Sequence, residues 1–216
     1  MSEEWRIWLY PLGILPLIFF SGRFLIQWLM SEWLHRSVVP RTFWLLSLAG
    51  NILMTIHAAI QLQFHVAISQ ITNGVIAWRN LNLMEPSEKR LSLYSAISIM
   101  IISILATVGF FAWEGEWFRS PRIPGVDSVI QLTWGWHLFG TFGIILFSAR
   151  FWVQWWQAET SQESQLSPAF WWISIAGSAM MLVYFVLLRD AINCIGPLFS
   201  LIPYLRNLIL LRRQEG

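Results

Sequence analysis

Charge is scarce in this chain. Of 216 residues, 14 are Lys or Arg and 12 are Asp or Glu, together 12%, about half the share of roughly 25% found in soluble domains. Such a chain cannot cover a globule with charge, which excludes a soluble globular or disordered protein. Cysteine is nearly absent: Cys194 stands alone, so there is no internal disulfide and no Cys-rich metal site. The four histidines, His35, His57, His65 and His137, show no metal-ligand spacing. No nucleophile–base pair, phosphate-cradling Gly loop or zinc motif is visible, so no catalytic, metal or cofactor site is expected. The net charge of +2, with its basic residues scattered, is too small for an electrostatic nucleic-acid binder. A basic signal-peptide start is lacking too: Met1-Ser2-Glu3-Glu4 is acidic, and no small-residue cleavage site ends the first apolar run, which is expected as a retained helix. What the chain does have is apolar residues, 56% of the total, and 15 Trp. Indole rings suit membrane–water interfaces. The apolar runs are continuous rather than alternating, which excludes a β-barrel and leaves an all-α integral membrane protein.

A membrane helix takes about 20 apolar residues. Seven candidate spans lie near 7–30, 41–61, 64–84, 91–112, 131–156, 168–188 and 191–211. The longest break, 113–130, holds Gly115, Pro121, Pro124 and Gly125. The turns after the second and sixth spans are very short, so those helices are expected to pair as hairpins. Seven spans put the termini on opposite sides. One side carries Arg6, Arg119, Arg122 and Arg189. The other carries Arg36, Arg41, Lys89, Arg90, Arg212 and Arg213, with Arg79 and Arg206 just inside the membrane ends. This bias predicts an outside N-terminus and a cytoplasmic C-terminus.

The chain also repeats itself at an offset of 127 residues. Ser21-Gly22-Arg23-Phe24-Leu25-Ile26-Gln27-Trp28 returns as Ser148-Ala149-Arg150-Phe151-Trp152-Val153-Gln154-Trp155. Glu32 meets Glu159, Phe43-Trp44 meets Phe170-Trp171, and Ser47 and Gly50 meet Ser174 and Gly177. Arg79-Asn80-Leu81 meets Arg206-Asn207-Leu208; only Pro40 and Pro168 slip, by one step. Each copy holds three spans, an odd number, so two copies joined directly would insert upside down relative to one another. The fourth span has no counterpart and restores the orientation. The predicted architecture is 3+1+3: a first repeat over 1–84, a linker helix and loop over 85–130, and a parallel second repeat over 131–216. Parallel repeats of this kind are similar in architecture to PQ-loop and SWEET transporters.

Two polar sets stand out within the spans. Arg23 lies some eight residues before the cytoplasmic end of its span, about 12 Å deep at 1.5 Å per residue, too deep for snorkelling to recover fully. Placing it there costs about 2.5–3.5 kcal/mol unless it faces a partner or water. Gln27 and Ser31 share its face, Arg79 and Asn80 approach the same side, and Glu32 caps the cluster; Arg150, Gln154, Glu159, Arg206 and Asn207 rebuild it in the second copy. One reading pairs the arginines with Glu32 and Glu159 to pin the bundle. The other uses the excess of one positive charge per copy, with guanidinium and amide donors, to bind phosphate, for which a lipid headgroup is the natural source at the cytoplasmic leaflet. The second set, Asn51, Asn73, Ser178 and Ser200, sits near mid-membrane and suits helix–helix hydrogen bonds or a small neutral solute. Ser47, Gly50, Ser174 and Gly177 fit close helix approach. His57, opposite Tyr184, reads as a packing position.

These motifs resemble the bacterial lipid A biosynthesis N-terminal domain family, which is also found fused ahead of some lipid-A-disaccharide synthases. Arg-Phe-x-x-Gln-Trp-x-x-x-Glu is met by Arg23, Phe24, Gln27, Trp28 and Glu32. Ser-x-x-Pro-x-x-Phe-Trp-x-x-Ser-x-x-Gly is met by Ser37, Pro40, Phe43, Trp44, Ser47 and Gly50, and Tyr-x-Arg-Asn-Leu by Tyr204, Arg206, Asn207 and Leu208. The family often has Gly-Gln at the start of the third helix, where this chain has Ser69-Gln70 and Gly196-Pro197. The first copy has His57 and Ala77 where the second has Tyr184 and Tyr204, so any shared site is expected to be asymmetric. The resemblance implies a bacterial inner-membrane protein of lipid A or glycolipid biosynthesis that holds or translocates a phosphorylated glycolipid or polyprenyl-phosphate sugar. The alternatives are a SWEET-like transporter of a small neutral solute, or a membrane anchor and assembly partner of a cytoplasmic glycosyltransferase. The synthase reaction needs a large soluble module, which nearly continuous spans leave no room for, so catalysis by this chain alone is not expected.

Overall fold

A computed structural model describes residues 4–34, 39–119, 130–161 and 168–214. The side chains of several helix-end residues, among them Ser31, Glu32, Glu159, Arg206 and Asn207, lie outside that description. Eight α-helices follow in order: α1 Glu4–Leu9, α2 Ile14–Leu34, α3 Arg41–Ile60, α4 Phe64–Leu83, α5 Leu93–Glu114, α6 Trp134–Ser161, α7 Pro168–Leu187 and α8 Ala191–Gln214. Among the described residues there is no strand, and one isolated bridge joins Gln63 to Phe118.

The first predicted span is broken. A 3-10 turn over Tyr10–Gly13 separates α1 from α2, where Pro11 removes a backbone donor and tightens the chain. The linker helix α5 shows why a helix starts and stops where it does. The Ser92 side chain accepts the Ser95 N–H at 3.2 Å, satisfying an orphan donor of the first turn. Gly115, at φ 74°, donates its N–H to the Phe111 carbonyl in the left-handed geometry that glycine adopts without penalty.

Among the described residues, five helical segments are long and apolar enough to cross a membrane: Trp5–Gln27, Arg41–Ile60, Ser87–Glu114, Trp134–Gln157 and Ala169–Leu187. The third helix of the first repeat, α4, is not among them, and in α8 the described residues include the apolar stretch Ala191–Leu201. In α4 the polar residues His65, Ser69, Asn73 and Arg79 are all buried. This helix lies between α3 and α5, so its polar groups meet protein rather than lipid.

The fold divides into two units, Met1–Arg119 and Ser120–Gly216. In the first, α3 packs against both α2 and α4, and α5 packs on α4; in the second, α7 packs against both α6 and α8. The units share detail. The α3–α4 turn places Leu62 at φ 58° and the α7–α8 turn places Arg189 at φ 55°, both unusual for residues other than glycine. In the first turn Gln61 donates to His57, Leu62 to Ala59 and Gln63 to Ala58; in the second Leu188 donates to Tyr184, Arg189 to Val186 and Asp190 to Phe185. Every donor and acceptor corresponds at the repeat offset, so both helices end in one Schellman-type cap. The cores correspond as well: Phe43, Trp44 and Ala77 in one unit, Phe170, Trp171 and Tyr204 in the other.

The first unit is stapled at both ends. Arg6 donates to the Ile60 carbonyl and pairs with Glu114 at 3.1 Å, while Gln61 donates to the Arg6 carbonyl at 2.9 Å. Residues 116–119 strap the α3–α4 turn through Phe64 N–H to the Trp117 carbonyl and Arg119 N–H to the Leu62 carbonyl. At the opposite end Arg41 pairs with Glu85 at 2.7 Å.

Candidate functional site

Arg23 lies in the middle of α2 and is buried. Its Nη1 donates to Ser47 Oγ at 3.0 Å, and that hydroxyl donates in turn to the Phe43 carbonyl at 2.7 Å. The guanidinium carbon sits 4.8, 4.9 and 5.4 Å from the ring centroids of Phe20, Phe24 and Phe43, within the roughly 6 Å at which a cation gains from an aromatic face. A charge that lipid would reject is thus enclosed by three rings and one hydroxyl.

Arg150, the counterpart on α6, is 1% exposed. Phe147 and Phe151, at 3.3 and 4.4 Å, match Phe20 and Phe24. The third wall is different: Tyr204 of α8, at 5.6 Å, occupies the position held by Ala77 in the first repeat. Ser174 keeps the hydroxyl arrangement of Ser47 and donates to the Phe170 carbonyl at 2.6 Å. Among the described residues Arg150 has no carboxylate partner, and its Nη1 and the Tyr204 hydroxyl have no hydrogen-bond partner.

Arg79 is buried at the end of α4 and ties down the loop that follows. It donates to Asn82 Oδ1 at 2.9 Å and to the Leu91 carbonyl at 2.7 Å, while Asn82 Oδ1 also accepts the Leu91 N–H. Asn80 donates to the Ile76 carbonyl of its own helix at 2.9 Å. Gln27 is half-buried and Gln154 buried, each one turn after its arginine. The expected phosphate set therefore divides by its observed bonds: Arg23 and Arg150 lie in aromatic boxes, and Arg79 bonds to a loop. The expected roles of Glu32, Glu159, Arg206 and Asn207 fall on side chains outside the described residues.

The second polar set, Asn51, Asn73, Ser178 and Ser200, is buried in both units. Asn51 lies beside Gly74, where an added Cβ would stand 3.4 Å from the Asn51 Cβ, so it sits on the α3–α4 contact. Among the described residues the Asn73 Oδ1 and Ser178 Oγ atoms have no hydrogen-bond partner.

The repeat also carries an exchanged aromatic pair. Tyr10 and His57 face each other with ring centroids 5.8 Å apart, and His137 and Tyr184 do so at 5.9 Å. At the repeat offset Tyr10 corresponds to His137 and His57 to Tyr184, so the two residue types have exchanged places. In the second unit the pair is also hydrogen-bonded, His137 Nδ1 to Tyr184 Oη, at 2.8 Å. The opposition of His57 and Tyr184 was visible in the sequence. Its partner swap becomes visible only when position 10 is set against position 137.

The duplication seen in both sequence and fold is matched by the comparisons. The Lipid A Biosynthesis N-terminal domain matches residues 12–82 and again residues 139–209, two copies at the same offset. The chain belongs to this family. It is similar to lipid-A-disaccharide synthases of Chlamydia pneumoniae, 36% identical over 209 residues, and of Chlamydia felis, 34% identical over 213 residues. In both comparisons the match covers 96% of this chain and 34% of the relative. The synthase of Chlamydia trachomatis serovar D is 33% identical over 216 residues, 98% of this chain and 35% of that protein. The chain therefore spans about a third of the length of the curated relatives it matches. No solved structure matches it. Membership in the Lipid A Biosynthesis N-terminal domain family, together with the apolar helices, associates the protein with membranes and with lipid A biosynthesis.

Proposed function

We propose that this protein is an inner-membrane component of lipid A or glycolipid biosynthesis that holds or translocates a phosphorylated lipid, either a phosphorylated glycolipid or a polyprenyl-phosphate sugar. Its seven long helices, α2 to α8, cross the membrane as two parallel three-helix repeats joined by α5, with the N-terminus outside and the C-terminus in the cytoplasm. The headgroup phosphate is held by guanidiniums drawn from Arg23, Arg79, Arg150 and Arg206, with Gln27, Gln154, Asn80 and Asn207 as orienting amides. The observation that carries this reading is the burial of Arg23 and Arg150 at one repeat position within apolar helices of a lipid A family member. A buried guanidinium calls for an anion or an aromatic enclosure, and its paired donors match phosphate geometry. In this reading the membrane helices do not catalyse by themselves and serve a cytoplasmic glycosyltransferase as its membrane partner. Native mass spectrometry of the mildly solubilised protein tests the lipid reading directly. A phosphorylated lipid should co-purify, and Arg→Gln at one or more of the four positions should release it, with Arg→Lys weakening it less. Retention of the lipid by all four Arg→Gln variants would refute this reading.

A second reading rests on the unpartnered Asn73 Oδ1 and Ser178 Oγ: a neutral-solute transporter of the SWEET kind using Asn51, Asn73, Ser178 and Ser200. It predicts that Asn73→Ala and Ser178→Ala abolish ligand binding while the Arg→Gln variants retain it. The phosphate reading predicts the reverse.

A further inference from the structure

The second repeat narrows the ligand, on the basis of the phosphorylated-lipid reading above. We propose that Arg150 and Tyr204 form the oxyanion site, that its occupant is a singly charged phosphodiester headgroup, and that Arg23 is a packing arginine without a ligand. The two repeats start from the same frame and differ at the atoms that matter. Arg23 finds the Ser47 hydroxyl at 3.0 Å, and where a third donor could approach from α4 there is Ala77, packed in the core beside Phe43 and Trp44. Arg150 has no such bond among the described residues. Beside it stands Tyr204, whose ring centroid is 5.6 Å from the guanidinium carbon. Nη1 of Arg150 and Oη of Tyr204 are both buried and unpartnered.

Two orphan donors on residues 1% and 2% exposed are costly, because each has given up water without receiving an acceptor. One oxyanion between them would satisfy both, the guanidinium supplying charge and the phenol a second hydrogen bond. The aromatic enclosure of Phe147, Phe151 and Trp171 keeps the local dielectric low, which strengthens a matched charge and penalises an unmatched one. Arg150 brings one positive charge. A phosphodiester carries one negative charge and cancels it, whereas a phosphomonoester carries about −1.5 to −2 near neutral pH and leaves an excess in the apolar box. The chemical class is therefore a diester-linked lipid phosphate, such as the phosphate between a lipid chain and a sugar or polyol.

The test uses the full chain in a neutral detergent with three probes: phosphatidylglycerol as diester, phosphatidic acid of the same chains as monoester, and inorganic phosphate. Thermal shift and native mass spectrometry read binding. The expected result is that phosphatidylglycerol raises the melting temperature and the other two do so much less. Tyr204→Phe, which keeps the ring and removes only the hydroxyl, should weaken diester binding roughly tenfold or more, as expected for a lost hydrogen bond to a charged group. Arg150→Gln should abolish the shift, and Arg23→Gln should lower the apo melting temperature while preserving it. Equal loss on Arg23→Gln and Arg150→Gln would overturn the one-sided site and leave the phosphorylated-lipid reading standing. A larger shift with phosphatidic acid would overturn the diester assignment, and an equal shift with inorganic phosphate would overturn the lipid source. A diester shift that survives both Arg150→Gln and Tyr204→Phe would overturn the site itself. No shift with any probe, and no co-purifying phospholipid, would overturn both the site and the reading it rests on.

Discussion

Gly50 and Gly177 occupy one repeat position, yet a methyl group added there meets different neighbours. At Gly177 a Cβ would lie 2.6 Å from the backbone nitrogen of Phe147 and 2.8 Å from its Cα, so α6 and α7 would have to separate. At Gly50 the nearest atom, also at 2.6 Å, belongs to the ring of Phe20, which can turn aside. Gly177→Ala should therefore cost about 1–3 kcal/mol, in the range of core overpacking, and Gly50→Ala less, as read by thermal unfolding of the two variants in one detergent; equal losses would refute the difference. The exchanged His–Tyr pairs permit a second test at this scale. If each unit needs one histidine and one tyrosine in contact rather than either at a fixed place, Tyr10→His and His57→Tyr should each destabilise. The double variant should recover about 0.5–3 kcal/mol relative to additivity, the range for residues in contact. A strictly additive double variant would show that the swap is coincidental. The sequence revealed which residues recur, but could not reveal their companions. Arg23 and Arg150 are the same letter at the same repeat position, and only the packing shows that Ser47 answers one and Tyr204 stands beside the other.

The helices themselves were largely legible, because continuous apolar runs and short turns leave few other options. Two departures have local causes. The first span is interrupted where Pro11 forces a 3-10 turn. The third helix of the first repeat reads as too polar to cross, since hydropathy sums side chains without knowing what they face. In α4 the polar residues are turned into the protein, between α3 and α5, so they need not be apolar to lie at membrane depth. This makes crossing by α4 testable. With Cys194 replaced by Ala, single cysteines at the exposed positions Thr42, Lys89 and Glu116 can be labelled with a membrane-impermeant maleimide. If α3, α4 and α5 all cross, Thr42→Cys and Lys89→Cys should react only after permeabilisation and Glu116→Cys in intact cells. Labelling of Lys89→Cys but not Glu116→Cys in intact cells would mean that α4 stays on one side.

At the scale of the whole molecule, duplication and membrane parity constrain each other. The caps, cores and arginine boxes of Met1–Arg119 and Ser120–Gly216 correspond at one offset, so each repeat has its own folding logic. Whether the repeats run parallel depends on how many crossings separate α2 from α6. With α3, α4 and α5 all crossing, α2 and α6 enter the membrane from the same side, and Arg23 and Arg150 lie at the same depth. With α4 left out, α6 inverts and Arg150 points toward the opposite leaflet, which would destroy the equivalence that the shared motifs imply. Leaving out α4 alone gives six crossings and returns the C-terminus to the side of the N-terminus, but leaving out α8 as well gives five, which like seven place it opposite, so the C-terminus cannot decide the matter alone. The connection between α6 and α7 can, since it is cytoplasmic under seven crossings and external under five. Ser164 lies in this connection, outside the described residues, and serves as the probe. In the same Cys194→Ala background, Ser164→Cys should resist the impermeant maleimide in intact cells and react after permeabilisation, and a fluorescent reporter fused after Gly216 should be active in the cytoplasm. Labelling of Ser164→Cys in intact cells, with the C-terminal reporter unchanged, would establish inverted repeats. It would also place Arg150 and its phosphodiester on the outer leaflet, while Arg23 remained on the inner one.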